Sequence, residues 1–330
     1  MELSVIIPVK ENDETIGKCL KAVFASYPCD FEVLVILDGW ESEDFFSPWK
    51  GNTRLKIISV PKCGPAACRN YGVKMARGEW ISFVDSDVLI YENTLSIALQ
   101  RAKASSEDGL IGSYDRFPPA PGFVSKFRNL LHHHHHQKNH LQKSVFWGAF
   151  SLIRKRVFDE VGGFDENFEM PSIEDVELGI RIAKQGFIVR IQADIQVKHL
   201  KEWTFYNWMK TDIFLRAKPW TVLIFKTGKR AGNHLNTNNE EKISAILSLA
   251  TWGLIFGGFF LNWLWFFVPL IAFSFILSQF SFYRFSKQNF SFLPLVVLLH
   301  QVYYIFAMIG FFLGCIDYTR QKCIPLMTTN

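Results

Sequence analysis

Ile81-Ser82-Phe83-Val84-Asp85-Ser86-Asp87 is an apolar run that ends abruptly in two carboxylates one residue apart. It reads as a buried strand that delivers Asp85 and Asp87 at its exposed tip. In an extended segment residues i and i+2 point the same way, so both carboxylates can face one site. Hard divalent cations favour such oxygen ligands, and Mg2+ typically takes one or two protein carboxylates and leaves its other positions to water and phosphates. A second reading stands beside this one. Asp and Ser favour turns, and two solvated turn-formers at a strand end would look the same.

The flanking segments favour a site. Residues 3–8 form a short apolar strand, and residues 15–25 carry Ile16, Leu20, Val23 and Phe24 at helical spacing. Residues 31–37 form a second strand that ends at Asp38-Gly39, and residues 55–60 a third. Residues 65–77 read as a helix and residues 80–84 as the strand before Asp85. Strands alternating with helices predict a parallel sheet covered on both faces. Ligands of such sheets bind outside the carboxyl ends of the strands, and Pro8, Asp38 and Asp85 each fall at such an end. No G-x-G-x-x-G follows the first strand and no G-x-x-x-x-G-K-S/T is present, so neither a dinucleotide fingerprint nor a P-loop is supported.

The 330 residues are 49% apolar and include 32 Phe. Residues 243–283 and 288–316 contain no Asp, Glu, Lys or Arg. A membrane-spanning helix needs about 20 apolar residues, so three spans are expected, near 244–261, 263–282 and 293–316. This divides the chain into a cytoplasmic domain, 1–240, and a membrane domain, 241–330, of a multi-pass protein. Arg284 and Lys287 between the apolar blocks, with Lys226, Lys229, Arg230 and Lys242 before them, match cytoplasmic flanks under the positive-inside rule. Three spans would leave Arg320 and Lys322 on the far side, against that rule, so the span count is open by one. No signal peptide is expected at the N-terminus, which lacks a basic region followed by an apolar one.

Six cysteines are scattered without metal-type spacing, and Cys63 and Cys68 are too far apart for C-x-x-C. A reduced domain with buried thiols is expected. The net charge of +5 suits an anionic membrane surface or phosphate ligands. No basic stripe with interleaved aromatics points to nucleic acid. Residues 201–225 mix Trp203, Phe205, Tyr206, Trp208, Phe214 and Trp220 with Lys201, Lys210, Arg216 and Lys218. Such a segment forms either an interfacial amphipathic helix or ordinary packing against the sheet.

With these residues in place, roughly 3–225 resembles glycosyltransferase family 2, the inverting GT-A enzymes. The resemblance rests on six elements in order: Val5-Ile-Ile-Pro-Val-Lys-Glu-Asn, Val35-Ile-Leu-Asp-Gly, Gly64-Pro-Ala-Ala-Cys-Arg-Asn-Tyr-Gly, Phe83-Val-Asp-Ser-Asp, Gly162-Gly-Phe-Asp-Glu-Asn-Phe and Ile173-Glu-Asp-Val-Glu-Leu-Gly-Ile-Arg. It implies an α/β GT-A fold, Rossmann-like with a mostly parallel sheet, followed here by transmembrane helices. It implies a nucleotide-sugar donor, UDP ahead of GDP, held by Pro8, Glu11, Asp38, Arg69, Asp85, Arg216 and Trp220. Glu11 and Asp38 would bond the ribose and base, and Asp38, acceptor-only, suits the N3–H of uracil. Arg69 would meet the base or diphosphate, where a guanidinium fork matches phosphate oxygens. Asp87, with His199, would hold a divalent metal, Mg2+ or Mn2+.

Glu174-Asp175 stands where the family keeps its catalytic base. Ser172-Ile-Glu-Asp also looks like a helix N-cap with an acidic third residue, and acidic residues favour helix N-termini in any case. As base, Asp175 would deprotonate an acceptor hydroxyl attacking from the face opposite the nucleotide. The acceptor expected is a lipid or lipid-linked sugar at the membrane. The Q-x-x-R-W of processive members is absent around Arg216-Ala-Lys-Pro-Trp220, which counts against a polymerising synthase. A non-catalytic nucleotide-sugar-binding membrane protein is the other alternative. His132 to His136 are expected either to line an acceptor or headgroup entrance or to form a solvated or interfacial loop; five adjacent histidines cannot all reach one metal.

Overall fold

Runs of Val, Ile and Leu set the centre of the sheet. A computed structural model describes residues 1–10, 14–26, 30–41, 46–139, 146–228, 238–290 and 292–323. Its first half runs β1 (Leu3–Lys10), α1 (Ile16–Ala25), β2 (Phe31–Asp38), β3 (Leu55–Val60), α2 (Gly64–Met75), β4 (Trp80–Val84), β5 (Val88–Ile90), α3 (Thr94–Ala104), β6 (Gly109–Tyr114), α4 (Phe123–Lys138), β7 (Phe150–Arg154), α5 (Lys155–Val161), α6 (Glu174–Lys184) and β8 (Val189–His199). There follow α7 (Phe205–Lys210), a π-helical segment (Thr211–Ala217), α8 (Lys218–Thr227), α9 (Asn239–Gly258), α10 (Val268–Ser278), α11 (Phe280–Ser286) and α12 (Leu293–Cys323).

The strands form one sheet in the order β3-β2-β1-β4-β7-β6-β8-β5. Neighbours in β3-β2-β1-β4 are parallel, as are β6 and β8. β7 runs against both β4 and β6, and β5 against β8. Pro8 lies inside β1 rather than at its end, because β1 continues to pair with β2 as far as Lys10↔Asp38. Its missing N–H is tolerated where β4, paired only from Leu3 to Ile6, no longer flanks the strand. Every residue of β4 is buried, so the chain reaches Asp85 from a fixed base.

The chain divides into two compact units, residues 1–121 with 136–202, and residues 122–135 with 203–330. The division does not fall at residue 240: the segment 203–227 and the first part of α4 group with the C-terminal helices. In this second unit α12 packs on the π-helical segment, α8 and α9. Gly310 and Gly314, four apart on α12, permit this approach, since a Cβ on Gly314 would lie 2.6 Å from Lys218 O and from Thr221 Cβ.

Among the described residues, Leu293–Lys322 is the one helix long and apolar enough to cross a membrane, with a mean hydropathy of 2.0. The expected span 263–282 is a bent pair, Asn262–Ser278 and Phe280–Ser286, with a 75° break. The break falls at Gln279, whose buried side chain donates to Ser244 Oγ at 2.9 Å. The expected span 244–261 corresponds to α9, which starts earlier, with Glu240 and Glu241 in its first turn. Apolar side chains nevertheless face outward throughout this region; Phe266 is 85% exposed.

The histidine run is neither a loop nor solvated. It is part of α4, and His133 to His136 are buried. Successive helical residues fan out by about 100°, so the rings reach different surroundings. His133 stacks on Phe285, His134 bonds Ser281 Oγ at 3.1 Å, His135 lies 3.9 Å from Glu241, and His136 bonds Gly112 O at 3.2 Å.

Candidate active site

The turn after β4 presents Asp85 and Asp87. The Asp85 N–H donates to Ala149 O, and the Val88 N–H closes the turn on Asp85 O at 3.0 Å. Thr15 Oγ1 donates to Ser86 O at 2.8 Å and ties the turn to the start of α1. The two carboxylates then diverge. Asp85 pairs with Arg69 of α2, Oδ1 to Nη2, at 2.7 Å. Asp87 pairs with His199 at the end of β8, Oδ2 to Nε2, at 3.3 Å.

Arg69 is buried, with 4% exposure, and its second nitrogen bonds Glu174 Oε1 at 3.1 Å. Burial works against its charge, but Asp85 and Glu174 outweigh it and hold the guanidinium protonated. The Nη1 and Nη2 groups of the guanidinium are thus each engaged by a carboxylate. Glu174 is buried between Arg69 and the Ser172 N–H, from which its Oε2 accepts at 2.8 Å. The N-cap is Ile173 rather than Ser172, and no side chain caps it.

Asp175, next in α6, is oriented by the Val176 N–H at 2.8 Å and the Gly148 N–H at 3.3 Å. Burial, and after it the neighbouring Glu174 carboxylate, push its pKa up to about 7 against the pull of those N–H groups and Arg69. Gly148 allows the close fit: a Cβ there would lie 2.9 Å from Arg69 Nη2. Burial raises Asp85 as well, opposed by Arg69 and reinforced by Asp87. Burial also acts on Asp87, but His199 outweighs it and holds Asp87 below the usual carboxylate range.

Asp87 and His199 suit one face of a divalent cation. They supply a carboxylate oxygen and an imidazole nitrogen, and Asp87 remains partly exposed. Tyr114 fixes the imidazole plane, stacked on His199 at 4.4 Å and 9°, and Trp147 meets Tyr114 edge-on at 4.6 Å. Tyr114 was not singled out from the sequence as a site residue; the signal is an aromatic at the end of a buried strand.

Asp38, at the end of β2, accepts the N–H groups of Cys63 and Gly64 on Oδ1, at 2.7 and 3.1 Å, and so secures the start of α2. Glu11 lies outside the described residues. Arg216 and Trp220 belong to the second unit. Arg216 ends the π-helical segment 3.9 Å from Asp212, and Trp220 lies in α8 with its Nε1 buried. The first unit thus brings together Arg69, Asp85, Asp87, Glu174, Asp175 and His199.

A family model described as Glycosyl transferase family 2 matches residues 4–162, and one described as Glycosyltransferase like family 2 matches residues 129–233. An uncharacterized glycosyltransferase of Rickettsia conorii is 31% identical over 201 residues, which is 59% of this chain and 32% of that protein. The chain therefore spans about a third of that relative's length. The mannosyltransferase PcManGT from Pyrobaculum calidifontis, solved with GDP-Man and Mn2+, has a TM-score of 0.57 at 16% identity over 97% of this chain and 88% of its own. S. aureus TarS 1–349 in complex with UDP-GlcNAc has a TM-score of 0.50 at 20% identity, over 74% of this chain and 78% of its own. At these identities the two structures establish likeness of fold.

Proposed function

Residues 4–233 have the fold of family 2 glycosyltransferases, and from that premise we propose that the protein transfers a single sugar, with inversion, from a nucleotide donor to a lipid or lipid-linked acceptor at a membrane. The observation that carries the proposal is Asp175, a carboxyl held near pKa 7 at the tip of α6. A general base poised near neutral pH matches the task of taking a proton from a hydroxyl, and such assistance is typically worth about 100- to 10,000-fold. The acceptor oxygen forms the new bond to the anomeric carbon as the bond from that carbon to the diphosphate breaks. The acceptor's proton passes to Asp175. Arg69 and Glu174 hold Asp85 and the first turn of α6 in register for this.

Donor binding falls to Asp38 at the base end and Asp85 at the ribose, with Pro8 of β1 and Glu11 completing the set. UDP is the first donor to test, because Asp38 keeps acceptor capacity for an imide N–H; the solved relatives carry UDP-GlcNAc or GDP-Man. Asp87 and His199 would hold Mg2+ or Mn2+, which offsets charge on a leaving diphosphate.

The membrane setting is supported by α12 and by outward-facing aromatics on α7 to α8. Phe205, Tyr206, Phe214 and Phe225 are exposed there alongside Lys210 and Lys226, whereas Trp203 and Trp208 are buried. The catalytic unit would lie on the cytoplasmic face, docked at the bilayer surface. Nucleotide release by detergent-purified protein from a panel of UDP- and GDP-sugars, with Mn2+ or Mg2+ and with or without native lipid extract, tests the proposal. Lipid-stimulated release from one donor, abolished in Asp175→Asn, is expected. Nucleotide binding without release from any donor in the presence of lipid would overturn it.

A further inference from the structure

Cys63 and Cys68 escape the usual metal spacing, yet the fold brings them together. Cys63 stands immediately before α2 and Cys68 lies in its first turns, so the helix start folds the C-x4-C segment until the two Sγ atoms are 3.7 Å apart. Asp38 arrives from the end of β2, and one ligand atom from each of the three residues lies within 4.8 Å of the others. A tetrahedral Zn2+ with Zn–S bonds of about 2.3 Å separates two thiolate sulfurs by about 3.8 Å. The observed sulfur spacing is already that of a bound pair.

The surroundings are built as well. Two backbone N–H groups fix the Asp38 carboxylate. Cys68 is fully buried and Cys63 half-buried, which leaves the cluster one open side. The nearby Arg69 is paired with Asp85 and Glu174. Two thiols beside a fixed carboxylate form a soft donor set, unlike the carboxylate–imidazole pair at Asp87 and His199. Thiolates select Zn2+ over the harder Mg2+ and Mn2+.

We propose that Asp38, Cys63 and Cys68 form a binding site for a thiophilic divalent cation, Zn2+ foremost, with water completing a tetrahedron. Binding releases the thiol protons to solvent. Asp38 also stands at the base end of the donor pocket, so Zn2+ and the nucleotide are mutually exclusive; this consequence rests on the reading under Proposed function.

Co2+ titration of the full-length chain, in detergent and free of chelator, tests the site directly. The expected result is a thiolate-to-metal absorption band that saturates at one equivalent, survives excess Mn2+ and is discharged by one equivalent of Zn2+. Cys63→Ser and Cys68→Ser should each lose the band. Cys63→Ser, altered at a half-exposed position, should keep the wild-type circular dichroism. Zn2+ should also shield Cys63 of the unaltered protein from alkylation, a readout that needs no variant. No band, a band that persists in both serine variants, or Co2+ bound without thiolate absorption would overturn the proposal; the last would place the ion on histidines. Addition of UDP separates the two readings: a band that UDP leaves intact keeps the cation site and removes Asp38 from nucleobase binding.

Discussion

Each unit of this chain contains a buried arginine, and the two are balanced differently. In the second unit Arg128 bonds both oxygens of Asp212 at 2.9 Å, Trp208 Nε1 donates to the same carboxylate at 2.7 Å, and the Trp203 ring lies 5.2 Å from the guanidinium. The Arg128 fork meets the Asp212 fork, and the half-exposed Arg216 lies 3.9 Å from the same carboxylate. In the first unit Arg69 faces Asp85 and Glu174, with Asp175 adjoining Glu174 and Asp87 beyond Asp85. There the carboxylates outnumber the cation, and burial, reinforced by the neighbouring Glu174 charge, pushes Asp175 up to about 7. A closed ion pair ties helices together, whereas an unbalanced one produces a group that titrates at neutral pH, the property expected of a reaction site.

The largest effect expected from this contrast is at Asp175. Asp175→Asn should lower kcat by about 100- to 10,000-fold and leave the thermal midpoint near that of the parent, because burial already favours the uncharged form. A large loss of stability alongside the loss of activity would make Asp175 structural. Next come the arginines. Arg69→Met and Arg128→Met should each cost about 3 to 5 kcal/mol, since each strands a buried carboxylate. Chemical denaturation of double variants sharpens the comparison. Adding Asp212→Leu to Arg128→Met should recover much of the loss. Adding Glu174→Gln to Arg69→Met should not, because Asp85 and Asp175 remain. Equal recovery in both units would break the contrast. A smaller effect is expected from Gly148→Ala, whose new methyl crowds the clamped Arg69 guanidinium. About 1 to 3 kcal/mol of destabilisation, with reduced kcat, should be seen by thermal melting and nucleotide release.

Much of the first unit was legible in the sequence, because period and strand-end chemistry are local signals. The expected strands at 31–37, 55–60 and 80–84 and the helix at 65–77 match β2, β3, β4 and α2 within a residue or two. What lay beyond reach depends on long-range pairing. Nothing near Glu174 announces a bond to Arg69, 105 residues earlier. Spacing rules for cysteine ligands miss Cys63 and Cys68 because a helix start, with Asp38 from another strand, creates their proximity. The histidine run looked polar enough for a loop, but His133 to His136 each have an aromatic face or a polar partner inside the protein. Composition also could not show the break at Gln279, since an uncharged run reads as apolar even where one amide turns inward to Ser244.

The most direct test of the central claim is the pH dependence of kcat/KM for nucleotide release, compared between the parent chain, Glu174→Gln and Asp175→Asn. Asp175 with a pKa of about 7 is mostly protonated below that pH, so activity should fall as pH drops through 7. Removing the Glu174 charge favours the ionised form of Asp175 and should move this limb to lower pH, while Asp175→Asn should abolish the limb together with most of the activity. A limb that stays in place in Glu174→Gln, or that survives in Asp175→Asn, would contradict the assignment of Asp175 as the base.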